Sequence, residues 1–305
     1  MTGSMTGPVL TYAIPFYRDV AYLQAALDSV VAQTDPRWRA VVIDDAGPEP
    51  KSGELVERCR DERITYVRND ENLGLAGNWN RCLDVTTTAL VTILHADDAL
   101  EPGYGEAVVA AHKRHPGAVA VHTRARIIGA AGQPVRSTPD AVKHWIRPSG
   151  DGDLVTGGDA GLASLLRGDF VMCPTLCYRR SRMGGRRFDD RWRMVLDLAF
   201  LAELLLDGDH VVGTSEVVYR YRRHPASETS LLNATAERFH EELTLYDELA
   251  LRAATKGWQA SAATARRKRI VRAHLAYRAA GDVVRGRWGP ARAKLELLRG
   301  ATRSG

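Results

Sequence analysis

Residues 9–15 read VLTYAIP, an apolar run that predicts a buried β-strand. Similar runs follow as AVVIDD at 40–45, ITYVR at 64–68 and LVTILH at 90–95. Helical patterns separate these runs at 20–33, 53–61 and 78–85. Strands that alternate with helices predict βαβ units, so we expect an α/β fold with a mostly parallel, Rossmann-like sheet sandwiched by helices.

Polar residues follow three of the predicted strands. Tyr17 comes just after the first strand, Asp44 and Asp45 end the second, and Asp97 and Asp98 come after the fourth. Ligands of such sheets bind at the carboxyl ends of the strands. Carboxylates gathered there repel one another unless a cation or a hydrogen-bonding ligand lies among them. The sequence therefore predicts a ligand site at this edge of the sheet.

The remainder of the chain divides near residue 225. A long polar stretch at 129–158 predicts either a functional loop over the site or a mobile loop. A helix at 192–206 and a strand at 211–221 follow it. Beyond Pro225 only helical patterns remain. We therefore expect a main domain at 1–225 and a helical C-terminal extension at 226–305.

The net charge of +5 is unevenly distributed over the 305 residues. Residues 251–305 hold 14 Lys and Arg against two acidic residues, a net +12 that leaves −7 for residues 1–250. This basic extension fits either a contact with nucleic acid or an anionic membrane, or the solvated faces of terminal helices. We favour solvated faces, because the extension is rich in Ala and Leu at helical spacing. It also has few aromatic residues and no nucleic-acid motif, which argues against a nucleic-acid contact.

Hydropathy limits the cellular location of the chain. No apolar run approaches the ~18–20 residues that a membrane-spanning helix needs. The first residues also lack the basic and then apolar order of a secretion signal. We expect a cytoplasmic protein without a transmembrane segment, peripheral to the membrane at most.

An ordered set of motifs from Val9 to His224 resembles the inverting glycosyltransferases of family 2. That resemblance implies the GT-A fold, with a nucleotide-sugar-binding half at 8–100 and an acceptor-binding half at 101–225. The motifs are PFYR at 15–18, SVVAQ at 29–33, VVIDD at 41–45, NLG at 72–74, HADD at 95–98 and YRYRRH at 219–224.

The resemblance implies roles for individual residues. An aromatic ring stacks on the base and a carboxylate accepts its ring N–H, while Mn²⁺ or Mg²⁺ between carboxylates holds the diphosphate. The implied nucleotide contacts are Pro15, Tyr17, Asp44, Asp45, Arg68, Asn72, Asn78 and Asp97. The implied metal ligands are Asp97, Asp98 and His224, and Arg222 or Arg223 would pair with phosphate oxygens.

Local patterns leave alternatives open for these residues. The acid pair Asp44–Asp45 before Gly47 is also typical of a turn, and Asp97–Asp98 is also typical of a helix cap. The family more often has Asp where this chain has His95. A histidine there fits either a hydroxyl contact with the donor or a backbone contact at the strand end.

Asp197 is the candidate general base. It lies in MVLDLAFL at 194–201, where apolar neighbours would raise the pKa of its carboxyl and so its basicity. In the family an Asp at this place, usually preceded by Glu, deprotonates the acceptor hydroxyl; here Leu196 replaces that Glu. The alternative is an Asp that is favoured by the helix dipole in a first turn.

The implied reaction is one displacement at the anomeric carbon with inversion of configuration. The donor would be a nucleoside-diphosphate sugar, a UDP-sugar first, and the acceptor a hydroxyl of a glycan, a lipid-linked sugar or a small natural product. Two other functions remain. A sugar nucleotidyltransferase would need a Gly-rich loop after the first strand, and a non-catalytic binding protein would act through the C-terminal helices, which could also form a homo-oligomer.

Overall fold

The computed structural model describes residues 7–49, 51–135, 147–148, 152–227 and 237–303. Its strands are β1 (Leu10–Phe16), β2 (Trp38–Asp44), β3 (Ile64–Arg68), β4 (Leu90–Ile93), β5 (Ala99–Leu100), β6 (Ala120–Ile128), β7 (Leu154–Gly157), β8 (Leu176–Arg179) and β9 (His210–Arg222). Its helices are α1 (Val20–Val31), α2 (Ser52–Arg58), α3 (Gly74–Val85), α4 (Tyr104–Arg114), α5 (Gly158–Arg167), α6 (Arg180–Met183), α7 (Leu196–Leu206), α8 (Glu237–Thr255), α9 (Gln259–Arg267), α10 (Arg269–Val284) and α11 (Trp288–Arg303), and a 3₁₀ turn spans Cys173–Thr175.

The strands form one sheet in the order β3-β2-β1-β4-β8-β6-β9-β5, and β7 also pairs with β9. The α/β fold is confirmed, and the first half of the sheet is parallel from β3 to β4 as predicted. The second half is mixed, because β8 runs antiparallel to both β4 and β6 while β6 and β9 are parallel. Parallel pairing therefore holds mainly for the half that carries the strand-end carboxylates.

Alternation along β1 explains why helices cover both faces of the sheet. Tyr12, Ile14 and Phe16 belong to a core that α1 and α4 close. Ala13 belongs to a second core, on the opposite face, that is closed by α3, α5 and α7. Successive side chains of a strand point to opposite faces, so a strand with buried side chains on both faces must be covered on both.

The helices after residue 225 extend the second core. Phe239, Leu243 and Leu249 of α8 are buried in the same cluster as α7. The Tyr246 hydroxyl donates a hydrogen bond to the carbonyl of Leu166 at 2.9 Å. This part of the chain is therefore tied to the sheet domain by apolar packing. Among the helices of the described ranges, none is long and apolar enough to cross a bilayer.

A buried histidine gives the fold a predictable acid sensitivity. His112 of α4 is 2% exposed, and its Nε2 lies 3.0 Å from the carbonyl oxygen of Cys177 in β8. Burial, opposed by this hydrogen bond and assisted by Arg179, lowers the pKa of His112 to about 4. An unfolded histidine titrates near 6.5, so between pH 6.5 and 4 the unfolded chain binds the proton and the folded chain does not.

We expect the free energy of unfolding to fall by about 1–2 kcal/mol between pH 7 and pH 5 on account of His112 alone. The comparison is urea unfolding of the wild type and of His112→Gln at both pH values. Glutamine keeps a donor near the Nε2 position and has no titrating group, so the variant should lose less stability on acidification. Equal losses in the two proteins would show that His112 is not buried in its neutral form.

Candidate active site

Three strand ends meet at one edge of the sheet. β1 lies between β2 and β4 and runs parallel to both, so their carboxyl ends lie side by side. The residues that follow them, Tyr17, Asp45 and Asp97, therefore share this edge. Ligands of such sheets bind at this edge, so these residues lie where the sequence predicted a ligand site.

Asp44 at the end of β2 is fully buried, and its carboxylate organises the turn after the strand. Its Oδ1 accepts a hydrogen bond from the Gly47 N–H at 2.8 Å. Its Oδ2 accepts from Ser52 Oγ at 2.6 Å, from the Tyr66 hydroxyl at 2.5 Å and from Arg68 Nη1 at 2.8 Å. Both oxygens are occupied, which favours the turn interpretation for Asp44 over a contact with a base.

The described hydrogen bonds of Asp45 use only one of its two carboxylate oxygens. Its Oδ1 accepts hydrogen bonds from Asn69 Nδ2 at 2.9 Å and from the Leu73 N–H at 2.8 Å. Asn69 Nδ2 also donates to Asn78 Oδ1 at 3.1 Å, and Asn78 Nδ2 donates to the carbonyl of Ile43 at 3.2 Å. The described residues supply no hydrogen bond to Asp45 Oδ2, so that oxygen can accept one from a ligand.

Asn72 and Arg68 lie near Asp44 and Asp45, and each has a different role. Asn72 is exposed, and its Oδ1 accepts a hydrogen bond from the Gly74 N–H at 2.9 Å, which shapes the turn into α3. Arg68 holds Asp44 and donates through Nη2 to the carbonyl of Gly47 at 2.9 Å. Its side chain remains 44% exposed, so it stays accessible to an anion while it supports the turn.

The turn after β2 touches the end of β1 directly. Pro15 pairs with Ile43 across the two strands, and Tyr17 beyond it is 44% exposed. A Cβ atom on Gly47 would lie 2.0 Å from the carbonyl oxygen of Tyr17, a distance that no real contact allows. Only glycine permits this approach, and it places the Tyr17 backbone against the turn that follows β2.

We expect Gly47→Ala to lower the free energy of unfolding by about 2–3 kcal/mol and to weaken nucleotide binding, because the backbone at Tyr17 must move. Gly289→Ala is a matched control, since a Cβ there meets nothing within 4 Å. Urea unfolding and nucleotide titration of both variants check this. A Gly47→Ala protein as stable as Gly289→Ala would contradict the close approach.

Asp98 is enclosed by the end of β9. It is fully buried, its Oδ2 accepts a hydrogen bond from the Tyr219 hydroxyl at 3.0 Å, and its Oδ1 accepts from the Arg222 N–H at 2.7 Å. Burial and the neighbouring Asp97 carboxylate raise the pKa of Asp98 well above its usual range. With both oxygens bonded inside the protein, Asp98 joins the loop to β9.

Asp97 is the more accessible carboxylate of the two. Its side chain is 30% exposed, and its Oδ2 lies 2.9 Å from Nε2 of His224. Burial raises the pKa of Asp97, but the hydrogen bond from His224 and the nearby imidazoles of His95 and His224 lower it by more, so the pKa lies below its usual range. Asp97 is thus an oriented carboxylate with an accessible surface, and the structure places His224 beside it as the sequence predicted.

His95 lies against an aromatic ring. The Trp79 ring centroid is 5.1 Å from that of His95, and burial lowers the pKa of the imidazole. Its Nε2 is buried and has no hydrogen-bond partner among the described residues, and its Nδ1 is 4.0 Å from Asp98 Oδ2, too far for a hydrogen bond. The imidazole is therefore neutral and oriented by packing.

The donor atoms present here fit a divalent cation. One ligand atom each from His95, Asp97 and Asp98 lie within 4.8 Å of one another. Carboxylate oxygens suit Mg²⁺ and Mn²⁺, and an imidazole nitrogen suits Mn²⁺ better than Mg²⁺. The unpaired imidazole and the partly exposed Asp97 are the groups with capacity left for such an ion.

Arg222, one of the two arginines expected near a phosphate, supports the loop that carries Asp97. Its guanidinium is buried and donates to the carbonyls of Asp97 at 2.6 Å, Gly129 at 3.2 Å and Ala130 at 3.0 Å. The ring of Tyr22 lies 4.8 Å from it. These bonds use Nε and Nη1 of the guanidinium, so Arg222 fixes the Asp97 loop. Tyr22, which also packs on the His224 ring at 4.9 Å, carries no pattern that would have marked it in the sequence.

Asp197 lies in the first turn of α7 and is half-buried, less enclosed than the apolar sequence around it predicted. Its Oδ1 accepts a hydrogen bond from the Leu198 N–H at 2.8 Å. Phe200, one turn later, packs on Phe188 with centroids 4.2 Å apart. Phe188 contacts Trp79 at 5.1 Å, and Trp79 contacts His95. Packed rings thus join the helix that carries Asp197 to the cluster at the sheet edge.

Comparison with known sequences identifies the family. The sequence profile described as Glycosyl transferase family 2 matches residues 11–170, more than half of the chain. The chain therefore belongs to glycosyl transferase family 2. An uncharacterized glycosyltransferase of Methanocaldococcus jannaschii, MJ1057, is 26% identical over 105 residues, which are 33% of this chain and 36% of that protein. The chain covers between 13% and 36% of the length of the curated relatives it matches.

Solved structures show the same fold. TarS of S. aureus, residues 1–349 in complex with UDP-GlcNAc, aligns with a TM-score of 0.62 at 16% identity over 79% of this chain and 66% of that one. The mannosyltransferase PcManGT of Pyrobaculum calidifontis, in complex with GDP-Man and Mn²⁺, aligns with a TM-score of 0.57 at 15% identity over 98% of this chain and 87% of that one. The GT-A architecture is thereby confirmed.

Proposed function

We propose that this protein is a metal-dependent inverting glycosyltransferase that moves one sugar from a nucleoside-diphosphate sugar to an acceptor hydroxyl. One observation carries the proposal. At the edge where β1, β2 and β4 end, Asp45 keeps an unused oxygen and Asp97 keeps a partly exposed carboxylate beside His224. This arrangement offers an acceptor for a base at one side and a ligand for a cation at the other.

The base would lie between Tyr17 and Asp45. The exposed Tyr17 ring is free to stack on a planar base, and Asp45 Oδ2 accepts a ring N–H. Uracil offers one such N–H, so UDP is the first donor nucleotide to test. TarS was solved with UDP-GlcNAc and PcManGT with GDP-Man, which keeps both bases under consideration.

Asp97, with His95 and His224 beside it, would hold Mn²⁺ or Mg²⁺. When bound, the cation neutralises charge on the departing diphosphate. His224 orients the Asp97 carboxylate, and Arg222 fixes the backbone of the same loop through the Asp97 carbonyl. Asp98 braces the loop against β9 instead of presenting its oxygens.

Asp197 would act as the general base. A half-buried carboxylate in the first turn of α7 has one oxygen bonded to the backbone and is held on a rigid helix. A base so positioned takes the proton of the acceptor hydroxyl as that oxygen attacks the anomeric carbon. We assign residues 8–100 to nucleotide binding, residues 101–225 to acceptor binding and residues 226–305 to a helical extension.

The test uses water as the acceptor, since the natural acceptor is not known. UDP-, GDP- and TDP-linked sugars are each incubated with the protein and Mn²⁺, and proton NMR follows the sugar that is released. We expect release from one nucleotide class, suppression by a chelator, and an initial product of inverted anomeric configuration. Initial retention of configuration, or no release from any donor, would contradict the proposal.

A further inference from the structure

Helix α10 presents apolar side chains to solvent on its outer face. Tyr277 is 75% exposed and Val284 is 87% exposed, and Trp288 at the start of α11 is 68% exposed. We define the α10 outer face as the exposed residues Ala273, Ala276, Tyr277, Ala280 and Val284 together with Trp288. Single exposed apolar residues are ordinary on a surface, but a contiguous group of them marks an interaction site.

The spacing places the α10 members of this face on one side of the helix, and Trp288 follows Val284 after a short turn. Residues 273, 276, 277, 280 and 284 follow the three- and four-residue steps that place side chains on one side of a helix. The opposite side of α10 carries Val271, Leu275 and Ala279, which are buried against the rest of the protein. The helix is therefore apolar on two sides, and only the inner side is used by the described fold.

Positive charge surrounds the α10 outer face. The exposed arginines Arg266, Arg267 and Arg269 lie at its beginning, and Arg285, Arg287 and Arg292 lie at its end. Acidic residues balance only part of this charge, because residues 251–305 contain only Asp282 and Glu296, which pair with Arg287 and Arg292 and leave Arg285 and the three arginines at the beginning of the face. Asp282 is buried and forms ion pairs with Lys294 at 2.9 Å and with Arg287 at 2.6 Å. Glu296 forms an ion pair with Arg292 at 2.9 Å.

We propose that the α10 outer face docks on an anionic phospholipid surface. Tyr and Trp rings favour the boundary between headgroups and acyl chains, and arginines at both ends pair with lipid phosphates. The aliphatic Ala and Val side chains between them gain by burial among acyl chains and offer nothing to a nucleic acid. A second copy of the chain is a less favourable partner, because it would bring two positively charged faces together. The proposal is independent of the transfer reaction.

Vesicle flotation of the full chain tests this. The vesicles contain phosphatidylcholine alone or mixed with phosphatidylglycerol. We expect the protein to float only with the anionic vesicles and to be released by high salt. The double variant Val284→Ser and Trp288→Ser should partition at least about tenfold more weakly. Leu251→Ser, at a residue of α8 that is 69% exposed, is the matched control and should float like the wild type.

A second double variant separates charge from apolar burial. Arg269→Gln with Arg285→Gln leaves the apolar side chains intact and should also weaken flotation on anionic vesicles. The proposal is overturned if the wild type does not float with anionic vesicles, or if the Val284 and Trp288 variant floats like Leu251→Ser. It is also overturned if the protein binds duplex DNA but no vesicle. A fourth outcome also overturns it. In that outcome the wild type binds no vesicle, and light scattering shows a wild-type dimer that the Val284 and Trp288 variant does not form.

Discussion

Asp97→Asn is expected to reduce release of the nucleotide from a sugar donor by about 10³-fold, while the protein stays folded. The amide keeps the shape of the side chain and removes the negative charge that a cation needs. The Asp97 carboxylate is partly exposed, so this change leaves no new buried group unpaired. The measurement is the rate of donor hydrolysis with Mn²⁺, together with nucleotide affinity measured with Mn²⁺ and with a chelator.

The control is Asp190→Asn, the same chemical change at an exposed carboxylate outside the strand-end cluster. It should keep both the hydrolysis rate and the metal dependence of nucleotide binding. If Asp97→Asn also kept its metal-dependent affinity, Asp97 would not be the ligand. The unfolding midpoint of both variants, measured in urea, separates loss of the site from loss of the fold.

Asp197→Asn is expected to reduce the hydrolysis rate by about 10²–10⁴-fold, the range that general base catalysis contributes. Asparagine keeps the oxygen that accepts the Leu198 N–H, so the first turn of α7 should form unchanged. Nucleotide affinity should also be unchanged, since Asp197 has no part in the proposed nucleotide or metal contacts.

Glu203→Gln supplies the matched control for Asp197, because it neutralises a half-buried acid on the same helix. It should leave the hydrolysis rate near that of the wild type. Equal loss of rate in both variants would point to the charge of α7 as a whole. A normal rate in Asp197→Asn would remove Asp197 from the mechanism.

The edge of the sheet that carries the site could be predicted because its signals are local. An apolar run followed at once by carboxylates marks a strand end, and the βαβ order places neighbouring ends together. This reasoning located Asp45, Asp97 and, through the last motif, His224. It could not rank Asp97 above Asp98, because the difference comes from β9, which lies more than a hundred residues away and encloses only Asp98.

Other features depended on contacts that the sequence pattern does not contain. The mixed half of the sheet arises because β8 pairs antiparallel with β4 and β6, and its apolar residues are equally compatible with either direction. The helix predicted from residue 192 begins at Leu196, since the Glu241 carboxylate binds the N–H groups of Arg193 and Met194 in a non-helical turn. The short strand β7 lies within the stretch predicted as a loop at 129–158, and residues 136–146 and 149–151 of that stretch lie outside the described part of the chain.

The central claim is that a nucleoside diphosphate binds at the β1, β2 and β4 edge with a divalent cation. Calorimetric titration of the wild-type protein with UDP, GDP and TDP, each with Mn²⁺ and with a chelator, tests it most directly. The account predicts that one of the three nucleotides binds with Mn²⁺ and that its affinity falls sharply with the chelator. Binding of none of the three under either condition, or equal affinity with and without the metal, would contradict it.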